Sequence, residues 1–127
     1  MKQLFLVVLG SGLGGGARYL VAGWFIKAFG VSFPFGTVAI NTIGSLLIGL
    51  IMEVALNTNL ISGDMRVALT TGVLGGFTTY STFNYETISL LQQGAILLGT
   101  LNIVVTVLLC LLAGVIGSLL GRWLISL

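Results

Sequence analysis

Four long apolar runs, separated by short polar or turn-forming segments, account for most of the chain. The runs cover residues 4–26, 35–54, 66–91 and 95–121. Each is close to the ~20 predominantly apolar residues that a helix needs to cross a membrane. The segments between them contain a proline, a polar cluster and a Gln-Gln-Gly turn, which are typical of chain reversals. The pattern predicts an all-α integral membrane protein with four transmembrane helices, folded as a single membrane domain over residues 1–127 with both termini on one side.

The composition supports this prediction and excludes several classes of function. Charged residues make up 6% of the chain and hydrophobic residues 57%, whereas an average soluble domain carries about 25% charged residues. The basic residues are scattered, so they form no patch to bind nucleic acid. The chain has no histidine, which excludes histidine-based catalysis, and its single cysteine, Cys110, excludes an internal disulfide. We therefore expect a membrane protein that is not an enzyme.

The first apolar run and the distribution of basic residues indicate how the chain is inserted in the membrane. Lys2 followed by an apolar run is typical of a signal peptide, but the run continues to Trp24 without a cleavage site, which favours a first transmembrane helix. Lys2, Arg66 and Arg122 fall on the side of the termini, while Lys27 and, depending on its depth, Arg18 fall on the other. This difference is too small to fix one orientation by the positive-inside rule. Insertion in both orientations is therefore open.

Glycine pairs four residues apart recur along the predicted spans. They are Gly10/Gly14, Gly12/Gly16, Gly72/Gly76 and Gly117/Gly121. In lipid, such pairs let helix backbones approach closely, either within one chain or between two chains. Because four close-packed helices fill their own centre with side chains, we expect any pathway for a solute to require an oligomer.

The most informative stretch is TTGVLGGFTTYSTFNYE, residues 70–86, inside the third predicted span. Its glycines weaken a helix, and its β-branched hydroxyl side chains crowd one. One interpretation is a break in the helix, whose freed carbonyls and amides need protein, water or an ion as partners. The other is a continuous helix whose hydroxyls bond to the carbonyls four residues earlier.

Two aromatic rings lie within this stretch. Tyr80 and Phe83 are three residues apart and so share a helical face. Thr79 and Ser81 flank Tyr80. Aromatic edges carry partial positive charge, so such a pair is suited to facing an anion without a full cation. Rings that face lipid or the protein core are the alternative.

Polar and charged residues of the other spans are further candidates. Asn41 lies near the start of the second span, with Thr37 one turn earlier on the same face. The Asn41 amide serves either to solvate an anion or to hydrogen-bond a neighbouring helix. Arg18 is expected to anchor at the lipid headgroups or to line a pore mouth, and Glu86 to line a vestibule or to cap its span. No acidic residue lies squarely mid-span, which argues against a proton-coupled carrier.

Three motifs together resemble the CrcB/Fluc family of fluoride channels over essentially the whole chain. They are GLGGGARY at 12–19, GTVAIN at 36–41 and GVLGGFTTYSTF at 72–83. The resemblance implies a channel that passively exports fluoride from the cytoplasm across the bacterial inner membrane. It also implies a third helix that is broken mid-membrane at the last of these motifs. The channel it implies is a homodimer of two antiparallel, dual-topology chains in the lipid, with two pores along their interface.

The resemblance also implies roles for individual residues. The candidates for the fluoride pore are Asn41, Tyr80, Phe83, Ser81 and Thr82, together with their neighbours Thr37 and Thr79. The carbonyls matching Gly75 and Thr78 of both chains would hold a structural Na⁺ at the dimer interface, where we expect no charged side chain to replace it. Arg18 and Glu86 are candidates for the vestibule.

Two positions depart from the family pattern, and two other protein classes share parts of it. Tyr80 stands where the family usually has Phe, and Cys110 stands where a Ser is expected. A small proton-coupled drug exporter also has four spans, but it needs a carboxylate in the first helix, which is absent here. A non-transporting assembly subunit built on glycine packing would not need the polar cluster at 78–82.

Overall fold

A computed structural model describes all residues, 1–127, and every regular element is helical. The elements are α1 (Lys2–Phe29), α2 (Phe35–Asn57), α3 (Gly63–Val67), the π-helix π1 (Ala68–Leu74), α4 (Gly75–Phe77), α5 (Tyr80–Gln92) and α6 (Ile96–Ile125). Three of them, α1, α2 and α6, are long and apolar enough to cross a membrane. The third predicted span is divided among the four shorter helices. The prediction of an all-α protein is confirmed.

The long helices extend beyond the apolar runs that predicted them. Helix α1 ends at Phe29 rather than at residue 26, α2 ends at Asn57 rather than at 54, and α6 continues to Ile125 rather than stopping at 121. An apolar run marks only the part of a helix that suits hydrocarbon, and the helix continues until a residue stops it. For α1 that residue is Gly30, whose φ of 78° is favourable only for glycine.

Helix α1 packs against π1 and α4 by direct backbone contact. A methyl group on Gly10 would lie 2.9 Å from the Ala68 carbonyl oxygen, and one on Gly14 would overlap the Val73 carbonyl. From the other side, a methyl group on Gly72 would lie 3.2 Å from the Cα of Gly10. Glycine is therefore required here because the two backbones touch.

A second seam joins α2 to α6, again through glycine. Methyl groups on Gly117 and Gly121 would collide with α2. Gly12 and Gly16, in contrast, face open space. Three of the four glycine pairs thus serve packing within the chain, and only this last pair remains on an outer face.

The outer surface is strongly apolar, and polar or aromatic groups gather at its two ends. Only 18 of the 127 residues are buried, so most large apolar side chains require lipid or another chain as surroundings. At the end with the termini, Lys2 pairs with Asp64 at 2.7 Å and Arg122 pairs with Glu53 at 3.0 Å. Aromatic rings cluster at the opposite end, as is typical of a membrane interface. They belong to Trp24, Phe25, Phe29, Phe33 and Phe35.

Candidate functional site

The third predicted span is interrupted at Thr78 and Thr79, which we call the break. Thr78 has a ψ of 158° and Thr79 has φ −153° and ψ 109°, so both residues are extended. Of the two interpretations of this stretch, the broken helix is therefore the correct one at Thr78 and Thr79. The alternative holds in part, because the Thr78 hydroxyl donates to the Leu74 carbonyl four residues earlier, at 2.9 Å.

Asn41 of α2 contacts the break from the neighbouring helix. Its Oδ1 accepts a hydrogen bond from the Thr79 N–H at 2.8 Å, and its Nδ2 donates to the Thr79 carbonyl at 3.0 Å. Backbone groups that are freed within a membrane need a partner from the protein, because no water is at hand. The interhelical bond, one of the two interpretations for Asn41, is thus present, and one hydrogen of Nδ2 is not used in it.

The carbonyls of Gly75 and Thr78 lose their helical donors at the break. In an unbroken helix they would accept hydrogen bonds from the N–H groups four residues later, those of Thr79 and Thr82. These two N–H groups donate instead to Asn41 Oδ1 and to Thr79 Oγ1. Two backbone oxygens beside the break are therefore left without the donors that a helix supplies.

The guanidinium of Arg18 lies beside one of these oxygens. Its Nη1 donates to the Thr78 carbonyl at 3.5 Å. The expectation that no charged side chain approaches the Gly75 and Thr78 carbonyls is therefore wrong. The reason is the packing of α1, because Gly14 lets the helix lie directly on the backbone at Phe77, and the side chain one turn later then reaches the break.

Three hydroxyl groups form a cluster at the start of α5. The Oγ1 of Thr79 lies 2.9 Å from the Oγ1 of Thr82 and 3.4 Å from the Oγ of Ser81. Thr79 also caps α5, because its hydroxyl accepts the Thr82 N–H at 3.2 Å. Thr79 is buried, whereas Ser81 and Thr82 are exposed. The cluster therefore runs from the interior of the chain to its surface.

The two rings of the candidate pore touch but lie at different depths. The ring centroids of Tyr80 and Phe83 are 5.7 Å apart, with planes inclined at 52°. Phe83 is 8% exposed, whereas Tyr80 is 78% exposed. The Tyr80 ring therefore needs lipid or a second chain to cover it.

Thr37 and Glu86 are joined by a hydrogen bond from the Thr37 hydroxyl to Glu86 Oε1, at 2.9 Å. Both residues line a cavity of about 430 Å³. Ser89, Gln93 and the α1–α2 connection form other parts of its wall. Glu86 lies in the middle of α5 and in a cavity wall, so it does not cap a helix end.

A second polar network, on α6, was missed by the sequence analysis. Asn102 is fully buried, its Nδ2 donates to Thr87 Oγ1 at 2.9 Å, and its Oδ1 accepts from Thr106 Oγ1 at 3.3 Å. The signal was available, since an amide within an apolar run is costly in a membrane and normally has a partner. Cys110, further along α6, lines an open groove of about 610 Å³ between α2 and α6.

Comparison with known proteins assigns the chain to a family. The family model for CrcB-like protein, Camphor Resistance (CrcB), matches residues 5–118. This chain belongs to the CrcB family. Curated relatives named fluoride-specific ion channel FluC include one from Anaeromyxobacter dehalogenans, 48% identical over 124 residues that cover 98% of both chains. Another, from Sorangium cellulosum, is 48% identical over 126 residues and covers 99% of both chains. The resemblance found in the sequence is confirmed.

Membership of the CrcB family decides two further points. The curated relatives are named as ion channels, so the chain belongs among transport proteins and is not an enzyme. With bacterial relatives and several apolar helices, it is a multi-pass protein of the bacterial inner membrane.

Proposed function

We propose that two copies of this chain, inserted antiparallel in the inner membrane, form a channel that lets fluoride leave the cytoplasm passively through two pores at their interface. The names of the relatives support fluoride as the ion. The observation within the chain that carries the proposal is the break, which is bonded to Asn41 and followed directly by the ring pair of Tyr80 and Phe83. Every one of these groups is electrically neutral.

Neutral groups suit the passage of fluoride. The ion is small and strongly hydrated, so a pore has to replace its water with compact donors. The remaining N–H of Asn41, the Ser81 and Thr82 hydroxyls and the ring edge of Phe83 are donors of that kind, whereas the Thr79 hydroxyl donates to Thr82. A fixed cation on the path would hold the anion too tightly, whereas conduction needs several weak sites.

The mouth of each pore would be formed by the cavity that contains Thr37 and Glu86. The Thr37 hydroxyl is engaged by the carboxylate, which holds the two side chains together at the wall. Arg18 would contribute positive potential nearer the break, where its guanidinium is held by the Thr78 carbonyl. Opposite charges on the two side chains would then set the potential along the entrance.

A pore of this kind needs a second chain. In the single chain, Tyr80, Ser81 and Thr82 lie on the surface, where hydrocarbon would leave the Tyr80 hydroxyl and the proton of the Thr82 hydroxyl without a partner. A partner packed on this face would enclose them. An antiparallel arrangement is supported by the small basic bias between the two ends, which permits both orientations in the membrane.

We also propose that the carbonyls of Gly75 and Thr78 from both chains hold a structural Na⁺. The fit is supported by the loss of the helical donors of both oxygens, and hard cations prefer oxygen ligands. A bound Na⁺ would supply a fixed positive potential between the pores. A Na⁺ bound to the Thr78 oxygen would repel the Arg18 guanidinium, which lies 3.5 Å from that oxygen in the single chain.

The proposed transport is tested with purified protein in liposomes loaded with potassium fluoride. We expect fluoride efflux, followed with a fluoride electrode, that greatly exceeds the leak of protein-free liposomes and the efflux of chloride under the same gradient. An efflux no faster than the leak would exclude a fluoride channel and leave a non-transporting assembly subunit as the better interpretation.

Substitutions at two adjacent glycines, Gly75 and Gly76, distinguish packing against a second chain or an ion from packing within the chain. A methyl group on Gly75 would make only an ordinary contact, 3.6 Å from the Thr70 carbonyl oxygen, whereas one on Gly76 would lie 2.5 Å from the Ser11 carbonyl oxygen. Gly76→Ala should therefore destabilise the single chain. Gly75→Val should leave the chain folded but lower fluoride efflux by about tenfold if a partner or an ion packs there.

A binding measurement completes this test. Wild-type protein should retain ²²Na⁺ after purification at one ion for two chains, and Gly75→Val should not retain it. Wild-type efflux and dimerisation in Gly75→Val, together with no bound ²²Na⁺ in the wild type, would exclude the cation site.

A further inference from the structure

Asn102 is a fully buried amide within α6, which has the highest mean hydropathy of the three long helices. It is bonded on both sides, with its Nδ2 donating to Thr87 Oγ1 at 2.9 Å and its Oδ1 accepting from Thr106 Oγ1 at 3.3 Å. A polar side chain in such a position is costly unless it is satisfied. The network it forms is separate from the groups assigned above to the pore.

The network continues from α6 to the backbone of Phe83. The Thr87 hydroxyl, which accepts the bond from Asn102, donates its own proton to the Phe83 carbonyl at 2.8 Å. Thr87 is 5% exposed and Phe83 is 8% exposed, so both bonds are shielded. A threonine that bonds to a carbonyl four residues earlier bends a helix slightly, and here the donor from α6 fixes the direction of that hydroxyl.

Helix α5 is bonded to α2 at Glu86 and at its cap residue Thr79, whereas this contact is what bonds it to α6. The break separates α5 from α4, and the bond between Asn102 and Thr87 is the only side-chain hydrogen bond that joins α5 to α6. Gly99, one turn before Asn102, permits the close approach, since a methyl group there would lie 2.7 Å from the Leu91 side chain of α5. The two helices are therefore packed closely here, and one polar bond fixes their register.

We propose that Asn102 and Thr87 are positioning residues that set the depth and orientation of the Phe83 ring, and with it the Tyr80 ring one turn earlier. The proposal rests on the proposed role of Phe83 in fluoride passage. Without the network, α5 keeps its bonds to α2 at Thr79 and Glu86 but loses its polar bond to α6, and a rotation of α5 then moves the ring edge off the path while the helices remain formed.

The experiment uses matched substitutions in the full-length protein. Thr87→Val removes the hydroxyl at nearly constant volume, Thr87→Ser keeps it, and Asn102→Leu removes the amide. Thr70→Val is the matched control, because the Thr70 hydroxyl makes the same kind of bond, to the Arg66 carbonyl at 2.8 Å, but has no link to α6. Fluoride efflux is measured in liposomes, and the ring at position 83 is observed by ¹⁹F NMR after incorporation of 4-fluorophenylalanine.

We expect Thr87→Val and Asn102→Leu to lower fluoride efflux about tenfold, which is the effect of one lost buried hydrogen bond. Both should also shift the ¹⁹F resonance. Thr87→Ser keeps the hydroxyl, and Thr70→Val removes a bond that has no link to α6. Both should therefore stay within about twofold of the wild-type efflux and leave the resonance in place. If Asn102→Leu does not fold, the Thr87 pair decides the question alone.

Two results would overturn the proposal. One is wild-type efflux with an unmoved resonance in Thr87→Val, and the other is lost efflux with an unmoved resonance, since the hydroxyl would then act without moving the ring. A wild-type protein that conducts no fluoride would contradict the proposed function instead. In that case the ¹⁹F resonance of the variants alone decides the positioning role. A shifted resonance would support that role, and an unmoved resonance would overturn it.

Discussion

Two stretches of equal length, residues 63–92 and α6, follow one another along the chain and fold differently. Each contains four glycines. Helix α6 is uninterrupted over 30 residues, whereas the earlier stretch is divided into α3, π1, α4 and α5. Glycine content alone therefore does not break a helix in this chain.

Hydroxyl content and a partner on α2 distinguish the two stretches. Residues 63–92 include six threonines, against two in α6. At the break, Thr79 caps α5 with its own hydroxyl, and Asn41 supplies both bonds that the Thr79 backbone needs. The amide of α6, Asn102, bonds only to side chains. A break thus requires both a weakened helix and a distant side chain that stabilises the freed backbone.

This comparison predicts that substitutions of Asn41 cause the largest loss of fluoride efflux. Asn41→Ala removes both bonds to Thr79, and Asn41→Asp turns a carboxylate oxygen toward the Thr79 carbonyl and repels an anion. We expect fluoride efflux to fall about 100-fold or more, because two buried backbone groups lose partners at about 1–3 kcal/mol each. Efflux from liposomes measures this, with hydrogen exchange of the Thr79 amide as an independent readout.

The matched control for Asn41→Ala is Asn57→Ala, at the exposed end of the same helix. The Asn57 amide bonds only to Glu53, so efflux should stay within about twofold of the wild type. Wild-type efflux and amide protection in Asn41→Ala would show that the break persists without α2. Glycine and threonine would then suffice to explain the difference between the two stretches.

A smaller effect is expected at Phe83, the buried ring of the broken stretch. Phe83→Ile keeps much of the apolar volume but removes the ring edge, so the chain should fold while efflux falls about tenfold. Tyr80→Phe, which introduces the residue that the resemblance led us to expect, should change efflux by less than about twofold because only a hydroxyl is removed. If Phe83→Ile conducts at the wild-type rate, the ring is off the path.

A third prediction concerns glycines of the unbroken stretch. A methyl group on Gly117 would overlap the Leu46 carbonyl and lie 3.0 Å from the Leu50 amide, whereas one on Gly114 would lie 3.7 Å from the nearest atom of α2. Gly117→Ala should destabilise the protein by about 1–3 kcal/mol. Gly114→Ala should be neutral or gain up to about 1 kcal/mol from helix propensity. Equal melting temperatures for the two variants would show that the seam between α2 and α6 adapts.

The sequence was sufficient for the long helices but not for the contacts at the break. Apolar runs locate α1, α2 and α6 because crossing hydrocarbon is a property of a run, while helix ends depend on local stops such as Gly30. From the residues alone the break was one of two open interpretations, since its partner Asn41 is 38 residues away in sequence, and only the resemblance to a family favoured it. The contact of Arg18 with Thr78 depends on how α1 crosses α4, which no local pattern records.

The smallest effect, a small change in thermal stability, is expected from the ion pairs at the outer ends of the two stretches. Asp64, at the start of the broken stretch, bonds to Lys2 at 2.7 Å and to Gln3 at 3.0 Å, while Arg122 near the end of α6 bonds to Glu53 at 3.0 Å. The hydrogen bond from Lys2, and then that from Gln3, hold the pKa of Asp64 below its usual range. Asp64 is therefore a pH-sensitive contact at the start of the broken stretch.

The sign of this effect follows from the lower pKa in the folded state. The pair stabilises the protein above the ordinary aspartate pKa of about 3.9, and its contribution is lost as the pH falls through the lower folded value. Because the pair is exposed, the contribution is small. When the pH is lowered through the folded-state pKa of Asp64, the melting temperature of the wild type should therefore fall slightly more than that of Asp64→Asn, which has no carboxylate to protonate at this position. An equal fall in both proteins would show that the start of the broken stretch is held by its glycine contacts with α1 and not by this ion pair.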